Sequence, residues 1–220
     1  MDAWELMEQR HSVRQYEDKS LPDDIIYQLE KEIEKINAEE NLHFQLVKNE
    51  PKAFDGFMAH YGKFSGVRNY IALIGPKSKE LDKKCGYYGE KLVLMAQGLG
   101  LNSCWVAMSY SKIPGAFTVN QGEKLVVVIA IGYGSNQGSV HKSKNITAVS
   151  NVSAETPDWF ESGVKAALLA PTAMNQQKFT FNYNNGDVSA KAGIGFYTKI
   201  DLGIAIYHFE LGSGKRFIKI

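Results

Sequence analysis

The stretch that decides the fold runs from residue 87 to residue 106 and reads YYGEKLVLMAQGLGLNSCWV. Its first part predicts a buried helix over residues 87–100, because apolar side chains recur on one face and glycines close it. Its second part, residues 101–106, predicts the entry of a strand. Farther along, residues 125–131 read LVVVIAI, which is apolar on both faces and predicts a central strand.

On both sides of this stretch, helical and strand patterns alternate. Helices are predicted over residues 3–10, 21–37, 157–169 and 201–211, and strands over residues 42–47, 69–75, 178–183 and 192–197, with a turn at 184–186. The tail, residues 215–220, alternates as an edge strand does. The chain is therefore predicted to be an α+β protein.

The order strand, strand, helix occurs twice, and each copy is led by a helix that carries a tryptophan, Trp4 or Trp159. This predicts two related halves, residues 1–150 and a shortened 151–220, packed as one compact unit with a pseudo-two-fold repeat. The alternative is coincidence, because any α+β chain can give such an order.

Composition narrows the classes of partner. The 220 residues carry 25 Lys plus Arg against 24 Asp plus Glu, a formal charge of +1, which gives no general argument for nucleic acid or an acidic membrane as partner. The 44% hydrophobic content is that of a globular chain. No apolar run is long enough to span a bilayer.

Cysteine and histidine usage points to a reducing compartment without a metal site. Cys85 and Cys104 lie far apart and form no CxxC pair, and the five histidines show no metal-ligand spacing. For Cys104, a buried thiol is favoured over a redox role. The polar, helical N-terminus does not read as a signal peptide, so we expect a cytoplasmic protein.

Four segments have residue types suited to binding a charged, flat ligand. They are RHSVRQY at residues 10–16, GYG and its neighbours at 132–138, HKSK at 141–144, and APTAMNQQ at 170–177. Arginines bracketing a serine suit phosphate or an electron-rich ring edge. The segment at 132–138 fails as a dinucleotide fingerprint, because its third glycine is late and no helical pattern follows. Each of the others has a structural alternative. Taken alone, residues 10–16 are better explained as a solvated helix end, residues 141–144 can be a solvated basic turn, and residues 170–177 can be a plain helix-to-strand connection.

Taken in order, these segments resemble the nitroreductase family of flavoenzymes. That family opens with an R-[RH]-S-x-[RK]-x-[FY] motif and has a central helix ending in GLG-x-x-[ST]-C-W. A strand ending in GY and a basic [KR]-x-[KR] element follow, and residues 170–179 are similar to its A-P-S-x-x-N-x-Q-P-[WF] motif. The resemblance implies the family's fold, a mainly antiparallel sheet flanked by helices.

One departure from the family pattern is the place of the last motif. In typical members it follows the N-terminal motif closely, whereas here it begins near residue 171. Typical members are intertwined homodimers in which each FMN site takes one motif from each subunit. The resemblance therefore implies a divergent branch in which one chain mimics the dimer, and it leaves a monomer or a homodimer open.

The resemblance implies non-covalent FMN and electron transfer from NADH or NADPH to a small-molecule acceptor such as a nitroaromatic or quinone, by a ping-pong mechanism. By motif, Arg10 and Ser12, with His11 alongside, contact the FMN phosphate and ribityl chain. Arg14 matches the cation near flavin N1, where it favours the reduced anionic ring. Lys142 and Lys144 match a second phosphate anchor, for which Lys215 and Arg216 are rival candidates.

Two further groups of residues are implied to line the flavin ring. One group comes from the second half, and Asn175 is expected to bond the ring edge; its members are Pro171, Thr172, Ala173, Asn175 and Gln177. The other group lies where the family offers a backbone N–H to flavin N5; its members are Val106, Ala107 and Met108. Many relatives have glycines there.

Two other classes of function remain open on sequence alone. A flavin-binding protein without turnover is compatible with the bulkier loop at residues 106–108. A non-flavin interaction domain would make every motif structural. Addition of NADH or NADPH separates the first of these from an enzyme, because a mere binder would leave the flavin oxidised.

Overall fold

A computed structural model describes residues 1–216 of the chain. Within that part the helices are α1 (Ala3–Gln9), α2 (Asp23–Glu40), α3 (Phe57–Tyr61), α4 (Leu81–Gly98), α5 (Asp158–Ala167) and α6 (Thr198–Ser213). The strands are β1 (Gln45–Val47), β2 (Asn69–Pro76), β3 (Asn102–Val106), β4 (Glu123–Gly132), β5 (Phe179–Asn184) and β6 (Asp187–Ala192). Short 3-10 turns lie at Lys52–Phe54, Ile146–Ala148 and Ala173–Asn175.

The main sheet has four strands in the order β1-β2-β4-β3, and each neighbouring pair is antiparallel. β4 lies between β2 and β3, and its residues 127–131 are all buried. This confirms the central strand predicted from the apolar run at 125–131. A separate two-stranded hairpin joins β5 to β6.

The chain forms two compact units. The sheet unit comprises residues 10–81 and 92–139, and the hairpin unit comprises residues 1–9, 82–91 and the chain from 140 onward. Neither unit is a single run of sequence. That residues 1–150 and 151–220 are related halves of an internal repeat therefore stays a prediction.

Aromatic packing fills both units. In the sheet unit, the buried ring of Phe54 lies 5.3 Å from that of Phe64 and 5.8 Å from that of Tyr70. In the hairpin unit, Phe181 of β5 stacks on Phe209 of α6 with ring centroids 4.7 Å apart. Each ring removes a large apolar area from water, which is the dominant favourable contribution to folding.

The predicted strand over residues 192–197 is wrong, and the hairpin explains why. Asn185 and Gly186 both have positive φ, 49° and 97°, as a two-residue hairpin turn requires. That turn sends the chain straight back, so Asn184 pairs with Asp187 and the return strand ends at Ala192. Residues 193–197 form the loop before α6. The tail predicted as an edge strand lies, from residue 217, outside the described residues.

α4 begins at Leu81, earlier than the pattern predicts, and it continues through Gly86 because that glycine meets α6. A Cβ atom at Gly86 would overlap the carbonyl oxygen of Ile200, and one at Gly203 would overlap that of Lys83. Each glycine thus faces the backbone carbonyl of the residue that lies three positions before the other glycine in sequence. The two helices cross at this mutual contact within the hairpin unit.

Candidate functional site

The arginine motif lies along the edge of the main sheet. The Val13 N–H donates to the Ser103 carbonyl at 3.0 Å, and Ser12 forms a parallel bridge with Ser103 of β3. The Glu17 N–H donates to the Tyr133 carbonyl at 2.8 Å, just after β4 ends. β3 and the end of β4 therefore fix the backbone of residues 12–17.

The glycine-containing loop at residues 133–138 packs on the same motif. The Ser135 N–H donates to the Gln15 carbonyl at 3.0 Å, and His11 Nδ1 lies 3.1 Å from the Gln137 carbonyl. A Cβ at Gly138 would lie 2.7 Å from the Cβ of His11, so only glycine allows this approach. Residues 139–145 form no helix, which confirms that the loop is not a dinucleotide fingerprint.

Side chains of the arginine motif converge on Cys104. Burial raises the pKa of the Cys104 thiol, and the charge of Arg14, a hydrogen bond with Ser12 and the charge of Arg10 oppose that rise. Cys104 is a buried free thiol, as the sequence predicts. Arg10 is itself buried. The three residues matched to a phosphate and flavin edge are thus grouped in the sheet unit.

A cleft of about 380 Å³ opens beside this group in the sheet unit. It brings together three of the predicted site residues, Arg14, Val106 and Ala107, whereas Met108 is largely exposed and does not line it. The full lining is Arg14, Tyr61, Gly62, Lys63, Phe64, Trp105, Val106, Ala107 and Ser109. Arg14 also lies over the Phe64 ring, with its guanidinium carbon 5.9 Å from the centroid.

The sequence analysis missed Tyr61, Lys63, Phe64, Trp105 and Ser109 as lining residues. The segment at 57–64 has no family motif and no helical periodicity, because α3 is only 5 residues long. The one available signal was its composition, two aromatic side chains and a lysine around a glycine (YGKF), just before a buried strand.

In the hairpin unit, the basic segment at 142–144 is bonded to the segment at 172–177. The Lys144 ammonium donates to the carbonyls of Gln176 and Gln177 at 2.8 and 3.1 Å. The Lys142 carbonyl accepts from the amides of Asn175 and Gln177, both at 2.9 Å. Two segments that were predicted separately therefore form one structure.

Several predicted residues in this unit have partners inside the protein. The Asn175 side chain also accepts from Gln177 Nε2 at 2.7 Å, and the Thr172 hydroxyl accepts from the Gln177 N–H at 3.0 Å. Lys215 lies over the Trp159 ring, with its ammonium 4.2 Å from the centroid. The cofactor roles assigned to these residues, and to Pro171 and Arg216, stay predictions.

Asp201 holds the same segment from the first turn of α6. Its carboxylate accepts from the Ala173 N–H at 2.9 Å and from Gln176 Nε2 at 2.6 Å. Burial raises the pKa of Asp201 to about 6, although both hydrogen bonds favour the ionised form. Sequence reasoning missed this buried carboxylate, which read as an ordinary acidic residue in a first helical turn.

The described residues offer neither a metal cluster nor a membrane-spanning helix. Among residues 1–216, no group of three or more His, Cys, Asp or Glu side chains is arranged to hold a metal ion. No helix in that part of the chain has both the length and the apolar character to cross a bilayer.

Comparisons with known proteins agree on one fold. The family model described as "Putative TM nitroreductase" matches residues 2–213. A crystal structure described as a "putative nitroreductase" from Thermotoga maritima is similar, with 23% identity, a TM-score of 0.69, and coverage of 96% of this chain and 83% of that one. No curated protein is significantly similar to this chain in sequence.

Two further structures share the fold over a smaller part of this chain. A "nitroreductase-like protein" from Streptococcus mutans has 14% identity and a TM-score of 0.57, over 68% of this chain and 96% of that one. A "Putative NADH dehydrogenase/NAD(P)H nitroreductase" from Parabacteroides distasonis has 20% identity and a TM-score of 0.53, over 70% and 97%.

Proposed function

Because the chain belongs to the nitroreductase family described as "Putative TM nitroreductase", it is an oxidoreductase, and we propose that it uses FMN. In this proposal it passes electrons from NADH or NADPH to a small-molecule acceptor, such as a nitroaromatic or a quinone, in the cytoplasm. Its neighbours' names include NAD(P)H nitroreductase, which agrees with the proposed donor.

The observation that carries the proposal is the cleft shared by Arg14, Val106 and Ala107. The family resemblance matches Arg14 to the cation near flavin N1, and Val106 and Ala107 to the loop that offers a backbone N–H to flavin N5. The cleft volume of about 380 Å³ lies in the range of small-molecule sites. Its lining includes no acidic side chain, so no negative charge there would oppose the electron-rich edge of a flavin beside Arg14.

The chain's contribution is binding and electrostatics. FMN, when bound, supplies the redox chemistry by accepting a hydride equivalent from the donor and passing electrons to the acceptor. Arg14 would stabilise negative charge at the ring edge, because a cation beside it favours the anionic form. Trp105 and Phe64 would exclude water from one side. No side-chain acid or base is required for hydride transfer.

One cleft also favours a ping-pong order. Val106 and Ala107 line an open cavity rather than filling it, so the bulk of this loop does not block access. We propose that donor and acceptor react at the same face of the flavin and therefore bind in turn. We therefore expect parallel lines in double-reciprocal plots of initial rate at several donor concentrations.

The proposed phosphate site uses Arg10 and Ser12 from the sheet unit. The second anchor is either Lys142 with Lys144 or Lys215 with Arg216. Lys144 already donates to two carbonyls and Lys215 lies over Trp159, so each pair has a structural role that its loss would disturb. Alanine replacement of each pair, compared by FMN dissociation constant, distinguishes them.

The test is the visible spectrum of the purified protein. We expect a bound flavin spectrum that bleaches on anaerobic addition of NADH or NADPH and returns when a quinone is added. Arg10→Ala combined with Ser12→Ala should yield colourless protein that takes up added FMN at least tenfold more weakly, because a charge-assisted phosphate contact is lost.

Lys77→Gln, an exposed lysine of the same unit outside the cleft, is the control and should stay yellow. Full flavin retention by the double variant would overturn the phosphate assignment. A bound flavin that neither donor reduces would identify a flavin-binding protein without turnover.

A further inference from the structure

A second cation, Lys63, lines the cleft, and no part of the proposed cofactor chemistry uses it. Arg14 and Lys63 are the charged members of the lining. A cleft whose charged groups are all of one sign concentrates ligands of the opposite sign. The cleft therefore has more positive charge than a neutral acceptor requires.

The backbone holds Lys63 in a conformation that lysine rarely adopts. α3 ends in a Schellman motif, in which the Lys63 N–H donates to the His60 carbonyl at 2.8 Å and the Phe64 N–H donates to the Ala59 carbonyl at 2.9 Å. Lys63 occupies the left-handed position with φ of 62°, whereas Gly62 just before it has φ of −71°. Glycine is the usual residue at this position, because other residues adopt the left-handed conformation at a cost in free energy. Lys63 occupies it nevertheless.

The cleft also offers aromatic surface beside this ammonium. Tyr61 is 77% exposed although it lines the cleft, so its ring is available to a ligand. The segment packs closely on residues 109–111, because a Cβ at Gly62 would lie 2.6 Å from Ser109 Cβ, and the Ser111 N–H donates to the Ala53 carbonyl at 2.7 Å. The ring of Tyr61 and the charge of Lys63 are therefore presented from a supported turn.

We propose that Lys63 and Tyr61 select electron acceptors that carry a negative charge on an aromatic ring. The acceptor's ring packs against Tyr61, and its carboxylate or sulfonate pairs with the Lys63 ammonium. This inference rests on the proposed function and narrows its substrate class. Lys63 acts on acceptor binding and leaves the reduction of the flavin by the donor unchanged.

The experiment compares an acid with its neutral ester. Holoenzyme is assayed with 4-nitrobenzoate and with methyl 4-nitrobenzoate, for wild type, Lys63→Gln, Lys63→Gly and Lys77→Gln. We expect Lys63→Gln to raise KM for the acid roughly fivefold or more, as loss of one partly exposed charged contact does. KM for the ester, kcat for both acceptors and the rate of flavin reduction by NADPH should not change.

Lys63→Gly serves as the second variant, because glycine relieves the left-handed backbone and preserves the turn. It should lose the preference for the acid as Lys63→Gln does, and Lys77→Gln should keep it. Added salt should reduce the preference in the wild type. Calorimetric titration with benzoate, which cannot be reduced, should show binding to the wild type and at least fivefold weaker binding to both Lys63 variants.

Equal changes in KM for acid and ester would overturn the proposal. So would a slower or weaker reaction with NADPH in the Lys63 variants, because Lys63 would then bind the donor's phosphates. Failure of the proposed function looks different, since wild type would then turn over neither ester nor acid. The benzoate titration still decides the role of Lys63 in that case, and absence of benzoate binding to wild type refutes it.

Discussion

Left-handed residues other than glycine and asparagine are concentrated at the candidate sites. In residues 1–216 they are Lys63, Met174, Gln177 and Tyr197. Lys63 lines the cleft, and Met174 and Gln177 lie in the segment that the family resemblance matched to the flavin. Such conformations cost about 1–3 kcal/mol each and persist where the surroundings fix them. In the segment at residues 172–177, Asp201 and Lys142 provide those surroundings.

Asp201 makes that segment sensitive to pH. Burial raises its pKa to about 6, against about 3.9 in an unfolded chain. Between these values the folded protein binds more protons than the unfolded one, so the contribution of Asp201 to stability is full below the lower pKa. It is lost as pH rises through about 6.

We therefore predict that Asp201→Asn lowers the free energy of unfolding by a smaller amount as pH rises. The free energy of unfolding of wild type minus that of the variant should fall by about 2 kcal/mol from about pH 4.5 to about pH 7, measured by urea unfolding. Asp187→Asn, an exposed carboxylate of the same unit, is the control. Curves for wild type and Asp201→Asn that stay parallel across this range would show that Asp201 does not titrate there.

At the scale of elements, the crossing of α4 and α6 organises the hairpin unit. Besides the glycine contact, the Tyr87 hydroxyl donates to Glu210 at 2.6 Å. His208 Nε2 lies 2.8 Å from Glu90 Oε1, and both side chains are fully buried. His208 Nδ1 lies 3.1 Å from the Ala166 carbonyl oxygen. The polar contacts fix the rotation of helices that the glycines allow to approach.

We predict that Gly203→Ala and Gly86→Ala each destabilise the protein by on the order of 1–3 kcal/mol, because a Cβ at either site overlaps backbone of the other helix. This cost exceeds the gain of about 1 kcal/mol that alanine gives in a helix. Urea unfolding measures both. The double variant should cost less than the sum, since one Cβ already separates the helices. Additive costs would indicate that the glycines do not share a contact.

The same elements show how much of the fold sequence could predict. β4 and the turn at Asn185 and Gly186 were predicted because their signals are local: an apolar run and a turn dipeptide. The early part of α4 was not, because Gly86 reads as a helix breaker until Gly203 is known to face it. The strand predicted over residues 192–197 failed because the two-residue turn starts the return strand directly at Asp187, so that strand ends at Ala192.

The candidate site divides in the same way. Arg14, Val106 and Ala107 could be predicted because family motifs mark them, and they do line one cleft. Tyr61 and Lys63 lie in a short helix and its C-terminal turn, where a motif search finds nothing. The side chains that line this cleft are set by the packing of residues 56–62 on residues 109–111. The sequence pattern of neither segment contains that information.

At the scale of the whole molecule, the question is whether one chain supplies a complete site. The sheet unit contains the arginine motif, and the hairpin unit contains the segments at 142–144 and 171–177. Typical family members, by the resemblance, take these motifs from two subunits. The mutual contact of Gly86 and Gly203 is the kind that two equivalent subunits make across a two-fold axis. That one chain mimics a dimer stays a prediction.

We predict that one chain is sufficient for one FMN, and subunit complementation tests it. One variant carries Arg10→Ala with Ser12→Ala, and the other carries alanine replacements at whichever basic pair, Lys142 with Lys144 or Lys215 with Arg216, weakens FMN binding. If two chains shared each site, co-expression of both variants with different tags would give mixed dimers in which one site is intact, and the doubly purified protein would be yellow. A self-sufficient chain has no intact site in any mixture, so we expect no flavin above the level of either variant alone.

Light scattering of the wild type should give the mass of one chain, with one FMN bound. A yellow mixed dimer would instead establish an intersubunit site and would make the second half of the chain an addition to the family dimer rather than a substitute for the partner.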